Sequence, residues 1–64
     1  MLVKEVIAIA AAGARVIYYN KSDLNNYVKI REYSKGDALK EKDANAEVID
    51  IYADNGVNID AVYT

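Results

Sequence analysis

Two groupings of residues in this sequence carry side-chain types that can do chemistry. The first is Asp50 and Asp60, with Tyr52 and Asn58 between them. Paired carboxylates run general acid–base catalysis when burial pushes their pKa values apart, and they hold a hard cation when carbonyl oxygens complete its shell. Two carboxylates are few for calcium, however, and strand alternation turns both toward solvent, so the favoured reading is a solvated or Lys-neutralised acidic face. The second grouping is Tyr27, Lys29, Arg31 and Tyr33, which share one face of an extended segment, with Val28, Ile30 and Glu32 on the other. Rings that stack bases beside cations that track phosphate fit single-stranded nucleic acid. Tyr and Arg are equally the types favoured at protein–protein contacts.

The residues that are missing narrow the field. Histidine and cysteine are both absent. Their absence removes the default general base near neutral pH, the thiol nucleophile, the commonest metal ligand and any disulfide. An enzyme is not expected, nor a metal or other cofactor. The segment from Asp54 to Asp60 does not make an EF-hand, because neither a start at Asp50 nor one at Asp54 brings a Gly to the sixth position and a Glu to the twelfth. The three glycines are isolated, so no phosphate-cradling loop is present. A formal net charge of −2 gives no global attraction to nucleic acid or anionic lipid, which disfavours nucleic acid as a partner.

The elements that must position these groups read as follows. Residues 2–12 place Leu2, Val3, Val6, Ile7 and Ala10 at spacings of three and four, the stripe of an amphipathic helix ending near Gly13. A strand over 2–9 is the rival. The apolar run of residues 6–12 is far shorter than the roughly 20 residues of a membrane span. Lys4 beside Glu5 is not the positive start of a signal peptide, so a cytoplasmic protein without a membrane partner is expected. Ile and Val supply fourteen residues against three Leu, and the six Tyr are the only aromatics, a composition that suits pleated sheet.

Residues 14–20 and 27–33 read as a first hairpin about a polar turn over residues 21–25. A five-residue loop would set Arg15 opposite Arg31. A four-residue loop sets Arg15 opposite Glu32, Ile17 opposite Ile30 and Tyr18 opposite Lys29, and is preferred because it avoids the like-charge pair. Residues 34–46 carry mixed charge with Leu39 as the one large apolar anchor. They read as a solvated surface segment, either a short helix after Asp37 or a loop.

A second hairpin flanks Asp54, Asn55 and Gly56. Only a three-residue loop gives one clean apolar face, pairing Ile51 with Ile59, Ile49 with Ala61 and Ala53 with Val57. That register sets Asp50 opposite Asp60 and Tyr52 opposite Asn58. In a simple meander the first hairpin would lie beside the second, and Lys29 and Arg31 would relieve the acidic pair.

The fold expected is α+β, one domain over residues 1–64, with an N-terminal helix on a four-stranded antiparallel sheet of two hairpins. The alternative is an all-β meander or small barrel of five strands. The core would draw on Leu2, Val3, Val6, Ile7, Ile17, Val28, Ile30, Ile49, Ile51, Val57 and Ile59. So short a chain buries only about 60% of the surface its unfolded form exposes, and without cysteine or metal the remaining staple is oligomerisation. A non-enzymatic protein-interaction module, such as a small inhibitor or adaptor and a homodimer, is the functional expectation. Single-stranded nucleic-acid binding through the Tyr/Lys/Arg stripe is the alternative.

An Ala-rich helix followed by strands, with Asp54-Asn55-Gly56-Val57 as a turn near the end, resembles the PepSY domain pattern across most of the chain. The resemblance implies an inhibitor-like or ligand-binding module without catalysis. The start of this chain departs from the usual secreted setting of that family.

Overall fold

The apolar stripe at the N-terminal end forms a helix, α1 (Val3–Ile9), with Val3, Val6 and Ile7 buried. Glu5 supports its first turn by accepting a 2.7 Å hydrogen bond from the backbone N–H of Leu2. The helix stops earlier than the 2–12 expected. Ala10 is already extended, and the chain turns through Gly13, whose φ of +88° is in the left-handed region. Two contacts account for the early exit. Ala14 must enter the sheet fully buried, where its carbonyl accepts from the Lys35 N–H at 2.9 Å, and the Lys35 ammonium takes the carbonyl of Ala10.

The computed structural model describes residues 1–21 and 27–63. After α1 these form β1 (Arg15–Lys21), β2 (Tyr27–Ser34), α2 (Glu41–Ala44), β3 (Glu47–Ala53) and β4 (Val57–Val62). The turn expected over residues 21–25 falls largely on 22–26, outside the described residues. No helix among the described residues is long and apolar enough to cross a membrane.

The α+β class stands, with both helices against one face of a four-stranded sheet. The sheet is mixed where an antiparallel one was expected. Its order is β2-β1-β4-β3, and β1 runs parallel to β4. Burial explains the arrangement. Val16 and Tyr18 of β1 and Ile59 and Ala61 of β4 are all essentially inaccessible, so these strands take the centre. The more polar partners of the two hairpins, β2 and β3, become the edges. A meander with β2 beside β3 is thereby excluded, and Lys29 and Arg31 lie at the opposite side of the sheet from Asp50.

The second hairpin has the three-residue turn and the register expected from Asp50 to Ala53: Asp50 opposite Asp60, Ile51 opposite Ile59, Tyr52 opposite Asn58 and Ala53 opposite Val57. Beyond Asp50 a bulge intervenes, and Ala61 pairs with Val48, not with Ile49. The first hairpin takes neither of the expected registers. Arg15 pairs with Ser34, Ile17 with Glu32 and Tyr18 with Arg31; a bulge between Tyr18 and Tyr19 then shifts the pairing to Tyr19 with Lys29. The extra residue at the bulge changes the alternation of faces along β2.

The core follows from these registers. Val3, Val6, Ile7, Ala14, Val16, Tyr18, Tyr33, Ala46, Ile59 and Ala61 pack between helices and sheet, with Leu39, Val48 and Val57 at the margin. Ile17 is buried too, but on the opposite face of its central strand. Val28, Ile30, Ile49 and Ile51, expected inside, are each close to half exposed because they lie on edge strands that no further strand flanks.

Candidate interaction surface

The stripe Tyr27, Lys29, Arg31, Tyr33 does not survive as one face, and the bulge is the reason. Lys29 and Glu32, three apart, would point oppositely in a regular strand. Here the Lys29 ammonium lies 3.6 Å from the Glu32 carboxylate on the open face of the sheet, and Arg15 approaches the same carboxylate at 4.0 Å. Tyr27 follows Lys29 by strand alternation and is exposed. Beyond the bulge, Arg31 and Tyr33 turn to the helix side. Tyr33 is buried and its hydroxyl donates to the carbonyl of Asp37 at 2.8 Å.

Arg31 reaches a cluster that the sequence reading did not find. Asp43, in the segment read as solvated, is only 1% exposed. Its carboxylate takes the guanidinium of Arg31 and a 2.6 Å hydrogen bond from the Tyr63 hydroxyl, while its backbone carbonyl accepts from the Tyr18 hydroxyl at 3.0 Å. The Tyr18 and Tyr63 rings stack with centroids 5.4 Å apart. The Arg31 guanidinium lies 5.6 Å from the centre of the Tyr18 ring, and the Lys42 ammonium 4.4 Å from that of Tyr63. Burial pushes the Tyr18 phenol up to about 12; the neighbouring phenol of Tyr63 adds to this and the charge of Arg31 opposes it. Leu39, Asp43 and Ala46 are spaced by four and three, as on one helical face, and although only Asp43 lies within α2 all three turn toward the core; that spacing is the signal by which Asp43 could have been found. The cluster fastens α2 to the sheet, because Asp43 is held at once by Arg31 of β2, Tyr18 of β1 and Tyr63 just after β4.

The acidic set is brought together on the open face of β3 and β4. The Tyr52 hydroxyl donates to Asp60 at 3.2 Å, and Asn58, nearly buried, donates its amide to the carbonyl of Asp54 at 2.8 Å. Ile17 of β1 lies directly beside Asp60 in the parallel register. The resulting loss of hydration raises the Asp60 pKa; the Tyr52 hydrogen bond works against the rise and the Asp50 charge adds to it. Asp50 turns one oxygen to the backbone, accepting from the Ile51 N–H at 2.9 Å. Among the described residues no three Asp or Glu side chains converge as a metal would require.

Apart from Met1 and from Ile9 at the end of α1, the exposed large apolar residues lie on the two edges: Tyr27, Val28 and Ile30 on β2, Ile49, Ile51 and Tyr52 on β3. The edges differ in how far they are covered. The backbone of Met1 and Leu2 runs along the start of β3, with the Val48 N–H donating to the Met1 carbonyl at 2.8 Å and Leu2 bridged to Glu47. Beyond that, the Ile51 N–H is occupied by Asp50. β2 pairs only with β1 among the described strands; at its far end the Ser34 N–H donates to the Asp37 carboxylate at 3.1 Å and the Ser34 carbonyl accepts from the Asp37 N–H at 3.0 Å, and from Val28 to Tyr33 no further described strand flanks it.

No protein-family model, the PepSY pattern included, matches this chain, and neither does any curated protein or solved structure.

Proposed function

We propose that this protein is a non-enzymatic protein-interaction module, of the kind an inhibitor or adaptor provides, that accepts an extended partner segment as an added strand on the outer edge of β2. The observation that carries this reading is a terminal strand whose Val28 and Ile30 are 51% and 47% exposed. An open edge supplies main-chain hydrogen bonds for affinity, and alternate side chains supply specificity. The lack of His and Cys supports the non-enzymatic part.

Affinity capture with the wild-type chain and with Val28→Lys/Ile30→Lys tests it. Partners should be lost with the double substitution while the fold, followed by circular dichroism, is kept. An unchanged set of captured proteins defeats the reading. Single-stranded nucleic acid remains the second reading, with less behind it because Arg31 and Tyr33 are engaged on the helix side. Lys29→Ala should leave any weak oligonucleotide binding at low salt unchanged if the stripe is not a nucleic-acid site.

A further inference from the structure

We infer that the strand added to β2 is β2 of a second copy of this chain, paired antiparallel about a two-fold axis so that Lys29 of each copy meets Glu32 of the other. The inference rests on the strand-addition reading above and names its partner.

The pattern of β2 is complementary to itself. Reversed and laid alongside, the six residues from Val28 to Tyr33 pair with one another, Val28 with Tyr33, Lys29 with Glu32, and Ile30 with Arg31, stopping short of Ser34, whose N–H and carbonyl are taken by Asp37. Residues directly opposite one another in an antiparallel pair share a face. In a regular strand this register is impossible about a two-fold axis, because residues three or five apart point to opposite faces. The bulge removes the obstacle. Lys29 and Glu32 both occupy the open face, as their ion pair within one copy attests, and the register with β1 puts both Val28 and Tyr33 on the helix side. Centring the pair on Lys29, Arg31 or Glu32 would instead set like charges face to face.

The other edge does not compete. Two copies of β3 would bring Glu47 and Asp50 of each strand together, along an edge already partly covered by Met1 and Leu2 and by the Asp50 oxygen. Pairing through β2 yields a continuous eight-stranded sheet with all helices on one side, and it supplies the oligomeric staple that a chain of 64 residues without cysteine lacks.

Charge reversal and mixing test the register. Lys29→Glu alone and Glu32→Lys alone each convert both inter-copy pairs to like charges, and each should weaken self-association about tenfold by sedimentation equilibrium. An equimolar mixture of the two variants sets an acid opposite a base at both pairs and should restore association as a heterodimer. Interactions within one copy cannot be repaired by mixing. No gain on mixing, or a wild-type chain that stays monomeric at high concentration, overturns the proposal. Partner capture that still depends on Val28 and Ile30 would then leave the broader reading standing. Should Glu32→Lys fail to fold beside Arg15, amide exchange of the wild type decides: protection of residues 28–33 that grows with concentration supports the pairing, and protection gained only at residues 49–53, or nowhere, overturns it.

Discussion

The guanidinium of Arg31, on an edge strand, closes on the carboxylate of Asp43 in the short helix α2, joining two segments through one ion pair. The two partners are unequally placed. The Asp43 side chain is sealed, whereas that of Arg31 is 42% exposed. Removing the cation therefore strands a buried carboxylate, while neutralising the acid leaves an arginine that water can still reach. Arg31→Met should cost about 1–3 kcal/mol, discounted from a fully buried pair for the exposure of Arg31, and Asp43→Asn should cost less because it keeps an acceptor for Tyr63. Urea unfolding of the two variants checks the order; a larger loss in Asp43→Asn would contradict it.

Tyr18 makes stability fall at high pH. Its phenol is held neutral in the folded state up to about 12, against 10.0 for the free side chain. The folded state thus binds the proton more tightly than the unfolded one, and the stabilisation is complete below pH 10 and lost as pH rises toward 12. Tyr18→Phe should flatten that alkaline decline while losing about 1 kcal/mol at neutral pH, with the hydrogen bond to Asp43. Denaturant midpoints across the alkaline range give both quantities.

Asp50 opposite Asp60 is a like-charge pair that the fold tolerates. Asp50→Asn removes the charge and keeps an oxygen for the Ile51 N–H, so it should stabilise the protein by about 0.2–1 kcal/mol at neutral pH. The gain should shrink with acidification. Because the folded-state pKa of Asp60 is raised, native Asp60 takes up its proton before the unfolded chain does, and the repulsion is already relieved there. Thermal unfolding of both proteins at neutral and acid pH measures the difference.

Gly56 tests the backbone alone. Its φ of +118° disfavours any side chain, yet the space beside it is open. Gly56→Ala should cost about 1 kcal/mol or somewhat more through backbone strain, with no shift in the pairing of Ala53 with Val57. A neutral substitution, seen by equilibrium unfolding, would mean that the turn relaxes freely.

The sequence by itself determined what local pattern can determine. The spacing of Val3, Val6 and Ile7 dictates a helix, and Asp54, Asn55 and Gly56 between alternating strands dictate a three-residue turn, hence Ile51 against Ile59 and Asp50 against Asp60. These follow because a one-residue slip would turn a whole apolar face to water. The tertiary structure decided the rest. Which strands meet in the middle depended on burial summed over the whole chain, so β1 joined β4 in parallel and sent β2 and β3 to the edges. A single bulge opposite Tyr18 and Tyr19 reversed the faces along β2, dividing the Tyr27, Lys29, Arg31, Tyr33 stripe that alternation had drawn on one side. Asp43 looked like one more solvated charge because its counterion comes from β2 and its phenol from Tyr63, just past β4, both distant in sequence. A buried carboxylate is tolerable only once those partners have been folded against it, and no local pattern records them.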